Sequence, residues 1–247
     1  METITITFGD CAENHVGMQK IGTIAKNGYS LEDVKKVQNY FAKNGKETEL
    51  ICLNDFLDEQ IEEIAYILII RNAVETPEKI FTEMKNLIWD TKAKMYGKVV
   101  NKKARYNLCF GDTFQEANYE SGKGTIISWN QVPILTNIKK NLENILQENS
   151  LQGEGNYYYN NKTCGIGYHG DSERRKVIAI RIGASLPIYY QWFYKGNSVG
   201  NRIEKMINGG DIYMMSAKAV GNDWKIRNKY TLRHAVGCDA FTKLKKN

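Results

Sequence analysis

The sequence predicts an α+β protein that combines an N-terminal α/β unit of βαβαβ type, residues 1–92, with a C-terminal double-stranded β-helix (jelly roll), residues 93–247. Strand-like and helix-like segments alternate in the first part, whereas helical periodicity nearly disappears after residue 95. Short strand-like runs separated by Gly and Asn then follow one another, as in antiparallel double-sheet proteins. No Gly/Ser linker separates the two parts, so we expect them to pack tightly.

The N-terminal unit begins with an alternating run, ITITF, that is typical of a strand. Ser30 followed by Asp33 predicts a helix start, because a serine N-cap and a carboxylate three residues later satisfy free backbone amides. Pro77 marks the first turn of another helix. Strands are predicted at 4–8, 48–53 and 66–70, and helices at 31–43, 57–64 and from 77 onward. This alternation with short connections predicts right-handed parallel crossovers.

The second part carries one helical pattern, from Val132 to Leu146. Strands are predicted at 106–110, 125–128, 165–168, 177–182, 188–194, 211–215 and 230–235. Many short strands with intervening turns favour an antiparallel double sheet of the jelly-roll type.

Composition limits the class of protein. The chain has 247 residues, of which 42% are hydrophobic and 25% charged, so a sizeable core can form. No apolar run reaches the ~18 residues of a membrane span, and the N-terminus lacks the pattern of a signal peptide. Five widely spaced cysteines without a CxxC pair predict an intracellular, reducing compartment, cytoplasm or nucleus. The net charge of +6 permits an anionic partner, or reflects the Lys and Asn usage of an AT-rich genome.

The most informative motif is His169-Gly170-Asp171, read together with the distant His234. A histidine and a carboxylate two residues apart on an extended strand point to the same face. A second histidine from another strand would complete a set of two imidazoles and one carboxylate, which suits non-haem Fe(II) with open positions. The alternative is that both histidines are ordinary strand residues. His15, in the polar loop 10–17, is interpreted as a structural or capping residue.

Several segments of residues 96–247, in this order, resemble the AlkB-like family of Fe(II)/2-oxoglutarate-dependent dioxygenases. They are RYNLCFGD (105–112) with YESG (119–122), the Trp129–Leu135 segment before a helix, YYYN (157–160) with GYHGDSE (167–173), VIAIRIG (177–183) and GDIYMMS (210–216). The first ninety residues have no such match and resemble uncharacterised proteins of large DNA viruses, which is compatible with a virus-encoded protein.

The resemblance implies an oxidoreductase in which His169, Asp171 and His234 bind iron, with 2-oxoglutarate and O2 as co-substrates. It places the 2-oxoglutarate hydroxyl contact at Tyr159 and the cation for the distal carboxylate at Lys243, nine residues after His234. Other candidates for this cation are Arg181, Arg233 and Lys245. A competing alignment would place Arg227 and Arg233 on the family's paired arginines, leaving the iron one ligand short.

The resemblance further implies oxidative dealkylation (demethylation) or hydroxylation of a nucleobase in DNA or RNA, with nucleic acid as the partner. Base recognition needs aromatic faces, polar edges and cations for phosphate. The candidate substrate-binding residues are Arg105, Tyr106, Tyr119, Trp129 and Arg174. Two alternatives stay open: a protein side-chain hydroxylase or demethylase with the same chemistry, and a non-catalytic nucleic-acid-binding module.

Overall fold

The computed structural model describes residues 1–244. Sixteen strands and five α-helices lie within this range. The strands are β1 (Thr3–Gly9), β2 (Cys11–Glu13), β3 (Lys20–Gly22), β4 (Thr48–Cys52), β5 (Tyr66–Ile70), β6 (Lys92–Met95), β7 (Lys98–Asn101), β8 (Tyr106–Gly111), β9 (Ile126–Ser128), β10 (Gln152–Tyr158), β11 (Gly165–His169), β12 (Val177–Gly183), β13 (Leu186–Tyr194), β14 (Asn197–Ile207), β15 (Ile212–Met215) and β16 (Thr231–Gly237). The helices are α1 (Leu31–Lys43), α2 (Pro77–Lys85), α3 (Pro133–Leu146), α4 (Ala217–Val220) and α5 (Asp239–Thr242).

Most strands belong to two sheets. The larger sheet has the order β4-β5-β15-β12-β1-β10-β8-β9, and the smaller has the order β11-β16-β13-β14. Neighbouring strands in both sheets are antiparallel except β8 and β9, which are parallel. Two small hairpins, β2–β3 and β6–β7, stand beside them. The described chain is therefore strand-rich and mainly antiparallel.

Each face of the larger sheet has its own core. On one face, α1, α2 and α3 cover residues such as Ile6 and Ile180. On the other face, side chains such as Ala179 of the larger sheet pack with Trp192 and Val236 of the smaller sheet. This layering is compatible with a β-sandwich whose larger sheet carries helices on its outer face.

Strand β1 lies in the middle of the larger sheet, between two strands from the second half of the chain. Its register places Thr5 opposite Asn156 of β10 on one side and Arg181 of β12 on the other. Because side chains alternate along a strand, its isoleucines face the helices and its threonines face the smaller sheet. The first residues of the sequence thus form part of the interior in which the candidate site lies.

The prediction of a βαβαβ unit with parallel crossovers is wrong. β4 and β5 pair antiparallel, and both edges of β1 are taken by β10 and β12. With no free edge on β1, β4 and β5 extend the sheet beyond β15 instead. The helix predicted at 57–64 does not form: a short 3-10 turn occupies Leu53–Phe56, and irregular chain follows. Residues 1–92 therefore share one sheet with the rest of the chain.

Other local predictions are confirmed. Ser30 caps α1 and forms a capping box with Asp33. Pro77 opens α2, and α3 covers the helical pattern of the second part. Strands β10 and β14 were not predicted, because β10 contains glycines and buried polar residues and β14 is largely exposed. No helix among residues 1–244 is long and apolar enough to cross a membrane.

Candidate metal centre

His169, Asp171 and His234 lie together in the structure. The Nε2 atom of His169 is 3.5 Å from Oδ1 of Asp171, and the Nε2 atom of His234 is 3.4 Å from the same oxygen. One potential ligand atom from each of the three residues lies within 4.8 Å of the others. Among residues 1–244, no other group of three or more His, Cys, Asp or Glu side chains meets this condition.

The sheet explains how residues far apart in sequence converge. His169 ends β11 and is directly paired with His234 of β16, and their rings are 4.4 Å apart between centroids. The register shifts between Ile166 and His169, a β-bulge of the kind that turns a side chain toward a site. The prediction that Asp171 shares an extended strand with His169 is wrong, because β11 ends at His169 and Asp171 lies in the turn that follows. Its backbone N–H donates to the carbonyl of Val220, 3.0 Å away, at the end of α4.

Hydrogen bonds orient the three side chains. Nδ1 of His169 lies 2.8 Å from the carbonyl oxygen of Gly167 and 3.1 Å from that of His234, so Nε2 is left to face Asp171. Oδ2 of Asp171 is 3.5 Å from Nε of Arg174, while Oδ1 faces the histidines. Such contacts fix ring orientation in metal sites.

The charge states suit a cation. Burial, reinforced by His234, lowers the pKa of His169 to about 3, so its imidazole is neutral at neutral pH. Burial alone would raise the pKa of Asp171, but His234 and Arg174 hold it below its ordinary value. Two imidazoles and one carboxylate are the donor set that Fe(II) accepts with positions left open. The residues present therefore fit such a metal.

The three side chains line a cavity of about 670 Å³. Its inner wall consists of side chains from the core between the sheets, among them Tyr158, Ile188 and Val236. Its outer wall is formed by residues 13–18, which follow β1, and by Trp224 and Lys225 from the segment between α4 and β16. The candidate metal centre is thus accessible through a mouth formed by two loops.

Arg181 is completely buried on the inward face of β12, and none of its three guanidinium nitrogens has a hydrogen-bond partner in the described chain. The hydroxyl groups of Thr5, opposite it on β1, and of Tyr190, beside His234 on β13, are likewise buried without partners. A buried unpaired cation is costly, so these donors together suit an anionic ligand.

Of the residues expected to bind 2-oxoglutarate, only Arg181 has this environment. Lys243 follows the helix α5 rather than lying on a strand; its side chain is 74% exposed and pairs with Asp239. Arg233 faces outward, 4.0 Å from the ring centroid of Phe193. The hydroxyl of Tyr159 donates to the carbonyl of Lys103, and Tyr159 does not line the cavity. Lys245 lies outside the described residues.

The assignments of Lys243, Arg233 and Tyr159 are therefore corrected. The guanidinium of Arg227, from the competing alignment, donates to the carbonyl of Lys195 at the surface. Because the described chain after β16 turns into the helix α5, residues 238–244 bring no cation back between the sheets.

The predicted substrate-binding residues divide into two groups. Arg105 and Arg174 line the cavity: Arg105 donates to Asn156, and Arg174 pairs with carboxylates including Glu154. Three aromatic residues do not line it, and their assignment is corrected. Trp129 is only 6% exposed and stacks against core rings, the hydroxyl of Tyr119 donates to Asp90, and Tyr106 stacks on Tyr159.

Sequence reasoning missed several lining residues. Glu13 and Asn14 follow the first strand, and Trp224 lies in a segment that matched no family motif. The polar character of residues 10–17 was the available signal for the first two. Nothing in the sequence around Trp224 distinguishes it from a core tryptophan.

A comparison with curated proteins finds the uncharacterized protein R156 of Acanthamoeba polyphaga mimivirus, which is 51% identical over 248 residues and aligned over 98% of each chain. No family model matches the sequence.

Proposed function

The chain belongs to the same family as protein R156 of the mimivirus, and for this chain we propose an Fe(II)- and 2-oxoglutarate-dependent dioxygenase of AlkB-like type. One observation carries the proposal. Thr5 lines the cavity that holds the His169–Asp171–His234 group, and it is directly paired with Arg181, whose buried guanidinium has no hydrogen-bond partner in the described chain. A dicarboxylate that chelates the metal with one end needs such a cation for its other end.

The strand order supports a jelly roll, the particular kind of β-sandwich in which eight strands form two sheets. Strands β15, β12, β1 and β10 face β11, β16, β13 and β14 across one core. In this interpretation, β1 from the N-terminal part is one of the eight strands. The inward positions of β1 carry threonines, which have no charge. The cation that would bind the co-substrate is therefore supplied by the neighbouring strand β12.

Each residue has a role in this proposal. His169, Asp171 and His234 would hold the iron, which together with 2-oxoglutarate and O2 would supply an oxidant for a nearby C–H bond. One oxygen atom of O2 would enter succinate as 2-oxoglutarate loses CO2, and the other would enter the hydroxylated product. Arg181 and the hydroxyl of Thr5 bind the distal carboxylate. The apolar side chains of the inner wall limit the access of water to the co-substrate.

A nucleic acid is the proposed substrate, and the β6–β7 hairpin supports it. The 21 residues between Asp90 and Asp112 contain no acidic residue and six basic ones, Lys92, Lys94, Lys98, Lys102, Lys103 and Arg105. Tyr96 at the hairpin tip is fully exposed, with φ of 49°. An exposed aromatic residue among cations is a feature expected of a surface that binds bases and phosphates.

The base of this hairpin contacts the cavity wall. Asp90, just before β6, accepts a hydrogen bond from the Nδ2 atom of Asn14 at 2.6 Å. Lys102, just after β7, donates to the Oδ1 atom of the same asparagine at 2.7 Å. Since Asn14 lines the cavity, a strand held by the hairpin would pass close to the mouth. Hydroxylation of an N-alkyl group there would release an aldehyde and the unmodified base.

Anaerobic titration with Fe(II) and 2-oxoglutarate tests the chemistry. We expect a weak visible charge-transfer band that is lost in His169→Ala and in Asp171→Ala. His15→Ala is the matched control, because His15 lines the same cavity outside the metal group, and it should keep the band. Retention of the band in both ligand variants would refute the metal assignment.

Succinate release then tests the substrate. We expect it to increase with single-stranded oligonucleotides that carry methylated bases and to stay at the basal rate with methylated peptides. The reverse result would favour the protein side-chain alternative. The wide cysteine spacing supports a reducing, intracellular location for this activity.

A further inference from the structure

Trp224 lies at the cavity mouth and differs from the other tryptophans of the chain. Trp89, Trp129 and Trp192 are at most 8% exposed, whereas Trp224 is partly exposed and lines the cavity. The neighbouring Lys225 also lines the cavity and is exposed. A tryptophan kept at a polar mouth, instead of in the core, offers a flat surface to a ligand.

The indole ring is held in place from several sides. Its Nε1 atom donates to the hydroxyl of Ser172, 3.0 Å away, next to the candidate ligand Asp171. The guanidinium of Arg233 lies 5.3 Å from the ring centroid and donates to the carbonyl of Trp224. The ammonium of Lys225 is 5.4 Å from the same centroid, on a side chain that is free to move because it is exposed.

The backbone fixes the separation between this ring and the metal group. Gly170, between His169 and Asp171, is in such close contact with the segment that a Cβ atom there would lie 2.0 Å from the carbonyl oxygen of Gly221 and 2.9 Å from Cβ of Trp224. The side chain of Asn222 donates to the carbonyls of Asp171 and Arg174. Trp224 is therefore held rigidly against the turn that carries Asp171.

We propose that Trp224 and Lys225 form a nucleotide subsite at the mouth, where a base stacks on the indole and the ammonium contacts a phosphate. The inference rests on the proposed nucleobase oxidation and assigns the residues that position its substrate. Stacking on an aromatic side chain tolerates any base, and a cation beside it tracks the backbone. The rigid attachment to the Asp171 turn would place a neighbouring base near the metal.

Fluorescence with a single-stranded DNA pentamer, carrying one N-methylated adenine at its centre, tests the stacking. In the Fe(II)- and 2-oxoglutarate-loaded protein kept anaerobic, we expect the pentamer to quench the emission of Trp224. Trp224→Leu should weaken binding of the pentamer roughly 5- to 150-fold. Trp224→Phe keeps an aromatic face, so it should bind within about threefold of the native protein while losing the quenching.

The salt dependence of binding tests the phosphate contact. Lys225→Gln should reduce the slope of log K against log salt concentration by about one. Lys229→Gln is the matched control, because Lys229 is exposed on the same segment but does not line the cavity. It should leave the slope unchanged. This comparison remains informative even if Trp224→Leu does not fold.

Besides the absence of quenching in the native protein, two results would overturn the inference. One is unchanged affinity for the pentamer in Trp224→Leu. The other is quenching by a methylated lysine peptide instead of the pentamer, which would make the partner a protein. The charge-transfer band separates failure of this inference from failure of the proposed function. A native protein that shows the band but no quenching refutes only the subsite. A native protein that shows no band refutes the metal chemistry.

Discussion

Arg181 and Thr5 are directly paired across strands β12 and β1, and both have buried polar atoms without partners on the face of the larger sheet that packs against the smaller sheet. A guanidinium in this position would be expected to destabilise the folded chain unless an anion joins it. The pairing also joins the N-terminal part of the chain to the candidate active site, because Thr5 lines the same cavity as the metal group.

The first prediction concerns this cation. Arg181→Met should raise the free energy of unfolding of the ligand-free protein by roughly 1–4 kcal/mol, because it replaces a buried unpaired charge with an apolar side chain. If the proposed function holds, 2-oxoglutarate should stabilise the metal-loaded native protein and should not stabilise the metal-loaded Arg181→Met variant. Urea denaturation with and without 2-oxoglutarate measures both effects.

Arg175→Met serves as its control, because Arg175 is exposed on the turn before β12. It should leave both the unfolding free energy and the effect of 2-oxoglutarate near their native values. If Arg181→Met lowers stability and still responds to 2-oxoglutarate, then Arg181 is not the anchor.

The second prediction concerns the contact between Gly170 and Gly221. A methyl group at position 170 would collide with a backbone carbonyl, so Gly170→Ala should displace the turn that carries Asp171 and weaken Fe(II) binding by roughly 10- to 100-fold. Gly167→Ala is the matched change, since its Cβ would meet only one atom at 3.7 Å. Fe(II) titration of both variants measures the effect, and equal affinities would contradict the close contact.

Local patterns were sufficient to predict much of the secondary structure but not the topology. The capping residues Ser30 and Asp33 and the alternation in ITITF depend on neighbours in sequence, and the segments they predict are confirmed. The partners of β1 are residues 143 to 180 positions away in the sequence. An alternating strand with threonines on one face has no sequence signal that distinguishes a parallel from an antiparallel neighbour.

In the candidate site, too, local sequence patterns predicted some features, whereas others depend on contacts between distant parts of the chain. The His-x-Asp motif and the scarcity of histidines were sufficient to select three residues that the structure brings together. The cation was harder to predict, because Arg181 sits in an otherwise apolar strand, and only the three-dimensional pairing shows that its guanidinium lacks a partner. The sequence around Trp129 and around Trp224 does not show which of them is buried. In the structure Trp129 is in the core and Trp224 is at the mouth of the cavity.

The third prediction tests that distinction. Trp129 stacks on Phe8 and Phe110 in the core beneath the helices. Trp129→Leu should therefore lower the free energy of unfolding by roughly 2–4 kcal/mol through lost packing. Affinity for a single-stranded oligonucleotide should stay unchanged under conditions where the variant is folded. A loss of affinity at full folding would restore Trp129 as a substrate-binding residue.

The fourth prediction concerns Lys102, whose ammonium donates to Asn14 and Asn107 at the base of the β6–β7 hairpin. Burial lowers the pKa of Lys102 from 10.5 to about 8. Between these two pKa values the unfolded chain holds a proton that the folded chain has released, so raising the pH through this window stabilises the folded state. Lys102→Met removes this titration. The unfolding free energy of the native protein minus that of Lys102→Met should therefore increase between about pH 7.5 and pH 10, by roughly 1–3 kcal/mol. A difference that stays constant over this range would show that the ammonium of Lys102 is not buried at the hairpin base.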